Sequence, residues 1–252
     1  MSREHIIPFF IASGWVLQKA TCPTCAEATK QFEGICGRDM LGNLRDQFGL
    51  STRRKKDRAE RIARGLPDPF RTGAPFSPFG VPEYNEPGVL SEAQKTQSFG
   101  EIHFVFIYPT IGNPAPEKVP TKAVVCVNPS AFARMLAKIG FSSAVAQFGL
   151  DKTPKDLRPF ILGKDPCISH VVGACAYPYP QAAQMITNEK GDVQFEPFLM
   201  RHAILRHNGR RWLMAQIQLL RSFNTPTYWV VVGSSTDEIE AVVEAPGPAS
   251  GQ

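Results

Sequence analysis

The chain has 252 residues, 43% of them hydrophobic and 20% charged, with a formal net charge of +5. That composition buries a core in one large domain or two small ones and excludes an intrinsically disordered chain. There is no apolar run of 18 residues and no apolar signal segment behind Arg3 and Glu4, so neither a transmembrane helix nor secretion is expected, and the six cysteines fit free thiols or metal ligands in a reducing cytoplasm.

In chain order, residues 3–7 read as a short strand stopped at Pro8, and residues 14–18 (GWVLQ) as the second strand of a hairpin. Phe9, Phe10 and Trp15 are expected in the core. Residues 24–35 carry good helix formers up to Gly34, and residues 38–48 and 53–64 read as two more helices. The last of these, RRKKDRAERIAR, holds seven basic and two acidic residues. Residues 1–64 contain 12 basic and 7 acidic residues, whereas residues 65–252 contain 16 of each, so the whole charge excess sits in that stretch. Local positive charge suits a polyanion, because neutralising phosphates releases counterions; a solvated helix face is the plainer alternative.

Residues 65–98 contain six prolines among Gly, Ser and Glu and read as an irregular connector. Beyond it, residues 101–109 and 122–127 read as strands. Residues 130–150 place Phe132, Met135, Leu136 and Ile139 at helical spacing, with Ser130 able to cap the start and Gly149 near the end. Asn208-Gly209 between two apolar runs signals a hairpin, because a type I′ turn needs positive φ at both positions. PTYWVVVGSS gives a further strand, and EAPGPASGQ reads as a frayed tail. The predicted fold class is therefore α+β: a module over residues 1–64, a Pro-rich linker over 65–98, and a second α+β domain on a mostly antiparallel sheet over 99–245.

Two motifs carry chemistry. Glu4-His5-Ile6-Ile7-Pro8 is followed, after a hairpin-sized interval, by Cys22-Pro23-Thr24-Cys25 opening a helix. Together with "KQFEG" at 30–34 and "GLSTRRKK" at 49–56, this pattern resembles the HNH endonuclease family. The resemblance implies a ββα-metal fold, a β-hairpin packed on a helix with one metal ion between them, and metal-assisted hydrolysis of DNA phosphodiester bonds. It assigns His5 as the general base, a role that suits a side chain whose pKa lies near neutrality. It assigns Glu4 as a ligand for Mg²⁺ or a similar divalent ion, since a carboxylate is a hard ligand. Adjacent strand residues face opposite sides, so Glu4 and His5 converge on one phosphate only if the strand ends or twists there.

The family often carries Asn directly after the second cysteine. Ala26 stands there in this chain, and Glu27 or Thr29 is the available oxygen donor nearby. Many relatives also hold a structural Zn²⁺ with two cysteine pairs. Cys22 and Cys25 supply one pair, Cys36 is a candidate third ligand, and a further C-x-x-C is expected upstream of Met1. Lys30, Arg53, Arg54, Lys55, Lys56 and Arg58 are the expected phosphate contacts, with Arg61 and Arg64 extending the row.

Other readings stay open. One is a nucleic-acid-binding protein of the same fold without catalysis, for which Ala26 speaks. Another is a thiol redox protein, since a C-x-x-C at a helix start has a first thiol whose pKa the helix N-terminus lowers. His103 is expected to be structural, and His202 and His207 to face opposite sides of a strand. Cys126, Cys167 and Cys175 lie among apolar neighbours and are expected to be buried.

Overall fold

The computed structural model describes residues 2–12, 14–47, 50, 79–90, 102–107, 125–166, 171–174, 186–187, 193–194, 198–223 and 225–244. The basic stretch, with Arg53, Arg54, Lys55, Lys56 and Arg58, lies outside the described residues, as do Cys167 and Cys175.

The amino-terminal elements are β1 (Ser2–His5), β2 (Val16–Thr21) and α1 (Pro23–Ile35). β1 and β2 pair antiparallel, with Glu4 opposite Leu17 and His5 opposite Val16. A one-turn π-helix (Cys36–Met40) and the short α2 (Gly42–Gln47) follow. β3 (Phe79–Glu83) falls inside the proline-rich stretch and pairs antiparallel with β4 (His103–Ile107). Pro82 is tolerated there because this ladder has only two strands, where a missing N–H need not break a pairing on the second side. Of the expected strand 122–127, residues 125–127 are described and lie outside any strand among the described residues; Val125 and Val127 lie over Gly80, where an added Cβ would come within 2.9 and 2.7 Å of their methyl carbons.

The centre of the molecule is α3 (Pro129–Phe148). Its cap is Asn128, whose side chain accepts from the Ala131 N–H at 2.9 Å, two residues ahead of the expected Ser130. Pro129 at the first helical position has no N–H to lose, which favours this earlier start. Gly149 ends the helix at φ 88°. α4 (Arg158–Ile161) follows.

The main sheet has β5 (Val172–Ala174), β8 (Phe198–His207), β9 (Arg210–Leu219) and β10 (Tyr228–Ser234) in the antiparallel order β5-β10-β9-β8. Between β5 and β8 lies the small ladder β6 (Ile186–Thr187) and β7 (Val193–Gln194). Asn208 and Gly209, at φ 48° and 70°, make the expected tight turn between β8 and β9. The helix α5 (Asp237–Glu244) closes the chain's described part, with Glu240 taking Arg206 and Arg211 at 2.5 and 2.7 Å.

Strand alternation sends Leu213, Ala215, Ile217, Tyr228, Val230 and Val232 into the core. α3 lies close over this face at Gly140, where a Cβ would stand 3.0 Å from Val230 Cγ1 and 3.3 Å from Ala215 Cβ. One contiguous core joins Ile7, Phe32, Cys36 and Leu44 from the amino-terminal elements to Phe132, Leu136, Tyr228 and Val232. Tyr228 Oη donates to the Pro82 carbonyl at 2.7 Å and Tyr84 Oη to the Pro129 carbonyl at 2.6 Å, which fasten β3 and its exit to the sheet and to α3. Phe10 is buried as expected, but Trp15 is 48% exposed, set edge-on to Phe198. The molecule is thus α+β with antiparallel sheets, and among the described residues no helix is long and apolar enough to cross a membrane.

Candidate functional site at the amino-terminal hairpin and helix

β1 ends at His5, three residues before the turn that Pro8 opens by accepting from the Ile11 N–H at 2.8 Å, and its register slips between Ser2 and Glu4. Glu4 and His5 themselves pair in regular register, so strand alternation sends their side chains to opposite sides. The Glu4 carboxylate turns to the interior. Its Oε2 accepts from Thr21 Oγ1 at 2.9 Å, and its Oε1 lies 2.7 Å from Lys138 Nζ. The half-buried His5 ring meets Phe9 edge-on, with centroids 5.3 Å apart.

Lys138 is the centre of this cluster. It comes from the middle of α3, and its side chain is only 3% exposed. Besides Glu4, its Nζ pairs with Glu33 Oε1 on α1 at 2.9 Å and donates to the backbone carbonyl of His5. An ammonium has three N–H donors, and the site supplies three oxygens. Burying a charge is costly unless it is paired and fully hydrogen-bonded, and this one is both.

These contacts bear on the expected divalent ion at Glu4. Both carboxylate oxygens are engaged, and the positive charge beside them is the lysine's own. An ion bound by Glu4 would first have to displace Lys138, so the arrangement does not fit that ligand role. Among the described residues, no group of three or more His, Cys, Asp or Glu is placed to hold a metal ion. Ala26 and Thr29 sit on α1, where Thr29 Oγ1 is taken up by donation to the Ala26 carbonyl at 3.1 Å. Glu27 is exposed and pairs with Lys30 at 3.1 Å, so the expected phosphate contact Lys30 is solvent-accessible but partnered within its own helix.

The cysteine pair opens α1 as the sequence suggests. Cys22 is the N-cap, and its Sγ accepts from the Cys25 N–H at 3.4 Å. Pro23 fills the first helical position. Cys22 is exposed, and its pKa is lowered, chiefly by the Cys25 backbone N–H and then by the Cys25 thiol donating to it. Cys25 is partly covered, and its pKa is raised because its proton is held by Cys22, with burial and the Cys22 charge adding to the effect. Arg158 and Lys164, at α4 and just beyond it, act in the opposite sense on Cys25. The pair is therefore polarised, one accessible thiol that ionises readily and one partly covered thiol that keeps its proton.

Cys36 does not join them. It is fully buried in the core at the far end of α1, eleven residues past Cys25, which is about 16 Å along a helix. Burial pushes its thiol far above the usual range. Cys126, expected to be buried, is exposed. His103 is exposed on β4, at the edge of a cavity of about 720 Å³ that is also lined by Glu83, Leu205, Met214 and Trp229 on the other side of the molecule's main sheet. His202 turns inward from β8 and meets Ser143 and Gln147 of α3.

Sequence reasoning missed Lys138. The signal was the lysine in the run MLAKIGF, where helical spacing surrounds it with buried apolar residues. A lysine at such a position calls for a buried acidic partner somewhere else in the chain.

No protein-family model, curated protein or solved structure matches this chain.

Proposed function

We propose that the chain is a cytoplasmic DNA endonuclease of the ββα type, in which His5 takes the proton from the water that attacks a phosphodiester bond. The observation that carries this reading is the order of elements: a hairpin whose first strand ends on His5, followed at once by a helix opened by Cys22 and Cys25. Free imidazole titrates near pH 6.5, so a histidine can accept the water's proton at neutral pH. The basic stretch at residues 53–64 would grip the phosphate backbone without reading sequence. The reading calls for a divalent ion, and in this arrangement Glu4 is taken up by Lys138 and Thr21 rather than free to ligate one. Cys22 and Cys25 fit one half of a tetrahedral Zn²⁺ site, which would hold the helix start in place.

The test is nicking of supercoiled plasmid by the full chain in Mg²⁺, in Mn²⁺ and in EDTA, with His5→Ala beside it. Loss of about 10²–10⁴-fold in rate is expected for the variant. Nicking that survives His5→Ala overturns the mechanism. Salt-sensitive DNA binding with no nicking under any condition selects the binding protein of the same fold instead.

One observation favours a second reading, a dithiol redox protein: the polarised pair at the start of α1. In that chemistry the Cys22 thiolate attacks a substrate disulfide and expels one thiolate. Cys25 then gives up its proton and attacks the Cys22 sulfur, expelling the second thiolate and leaving a Cys22–Cys25 disulfide. The substrate gains two electrons and the chain loses two. Metal analysis with thiol titration separates the two uses. Tightly bound zinc excludes cycling, and a disulfide that forms and reduces reversibly supports it.

A further inference from the structure

We infer that Lys138 is a tethered cation: its ammonium fills an oxygen-lined cation position beside the hairpin, and α3 thereby holds the backbone at His5. Three oxygens from three places in the chain converge on Nζ. They are Glu4 Oε1 at 2.7 Å, Glu33 Oε1 at 2.9 Å and the His5 carbonyl. Two carboxylates and a carbonyl are the hard donor set that a divalent ion takes from a protein. Here a side chain from 133 residues further along occupies their meeting point, and at 3% exposure it is shut off from exchange with dissolved ions. Thr21 holds the other Glu4 oxygen at 2.9 Å, so the carboxylate cannot swing away to serve a second cation without giving up a hydrogen bond.

Glu4 is accordingly a positioning residue. Its carboxylate and the His5 carbonyl are pulled to the same ammonium, which fixes the peptide that carries the imidazole. The part of the inference that concerns His5 chemistry rests on the nuclease reading; the cation position itself does not. Lys138 belongs to α3, so the amino-terminal hairpin is complete only when that helix is docked against it.

The test reads metal binding rather than activity. Mn²⁺ binding to the full chain is followed by electron paramagnetic resonance, comparing the native chain with Glu4→Gln, Lys138→Ala, and Lys138→Ala combined with Glu33→Gln. Up to about 1 mM Mn²⁺, a weak-site concentration, the native chain and Glu4→Gln should give the same isotherm. Lys138→Ala should gain one Mn²⁺ site, weakened by about tenfold or more when Glu33→Gln is added. The inference is overturned if the native chain binds a Mn²⁺ ion that Glu4→Gln abolishes. It is equally overturned if folded Lys138→Ala, checked by circular dichroism, gains no site. Should Lys138→Ala fail to fold, the native and Glu4→Gln isotherms decide alone. A positive result beside a silent plasmid assay would retain the tethered cation and discard the nuclease.

Discussion

His202 should make the stability of this protein depend on acid in a defined window. The residue lies on the inward face of β8, opposite Ala215, with Nε2 3.0 Å from Ser143 Oγ, Nδ1 2.6 Å from Gln147 Oε1, and the Phe148 ring edge-on at 5.3 Å. Ser143 also donates to the Gly140 carbonyl at 2.9 Å. A neutral ring satisfies all these groups if Nε2–H donates to Ser143 and the Gln147 amide turns its NH₂ toward Nδ1. Burial lowers the pKa of His202 from 6.5 to about 4. The unfolded chain therefore binds a proton that the folded chain refuses between those values. The resulting stability is complete above pH 6.5 and drains away as the pH falls toward 4, amounting to as much as about 3 kcal/mol. His202→Gln keeps a polar side chain that does not titrate. Urea denaturation at pH 7, 6, 5 and 4 should show the native chain losing up to about 3 kcal/mol more than the variant across that range. Carboxylate titrations common to both cancel in the difference. Parallel pH curves, or a folded-state His202 ring that titrates near 6.5 by NMR, would refute the reasoning.

Tyr228→Phe removes the donor to the Pro82 carbonyl in a fully buried setting and should cost about 1–2 kcal/mol, read as a lower denaturation midpoint at unchanged slope. Iodoacetamide at pH 7 should modify Cys22 faster than the equally exposed class of thiol at Cys126, because the lowered pKa gives more thiolate; Cys25 should follow more slowly and Cys36 only after unfolding, all resolved by peptide mass spectrometry. Gly209→Val forces a β-branched residue to φ 70° and should destabilise by about 1 kcal/mol or more, whereas Gly14→Ala, with open space around its Cβ, should change the thermal midpoint little.

The elements legible in the sequence are those set by local rules. The tight turn at Asn208-Gly209, the apolar spacing of α3 and the helix opened by Cys22-Pro23 all follow from backbone preferences within a few residues. What local rules cannot supply is the partner. Pro82 and its neighbours read as connector, yet β3 forms because Val81 and Phe79 find Val105 and Ile107 across a ladder. Trp15 reads as core, but its hairpin turns it half outward against Phe198. Glu4 and His5 were legible as a chemical pair, and strand alternation already set them apart; the ammonium that takes up Glu4 was not legible, because it comes from a lysine far along the chain.

The buried lysine also has a consequence for synthesis. Glu4, His5 and Glu33 leave the ribosome a hundred residues or more before Lys138 does, which at about 5–20 residues per second is a wait of roughly 5 to 25 seconds. Throughout that interval the two carboxylates have no counter-charge from α3, and Ile7 and Phe32 lack the apolar residues that α3 adds to their core. The hairpin and α1 are thus made well before the helix that completes them, and a break anywhere before the middle of α3 would leave Glu4 and Glu33 without their ammonium.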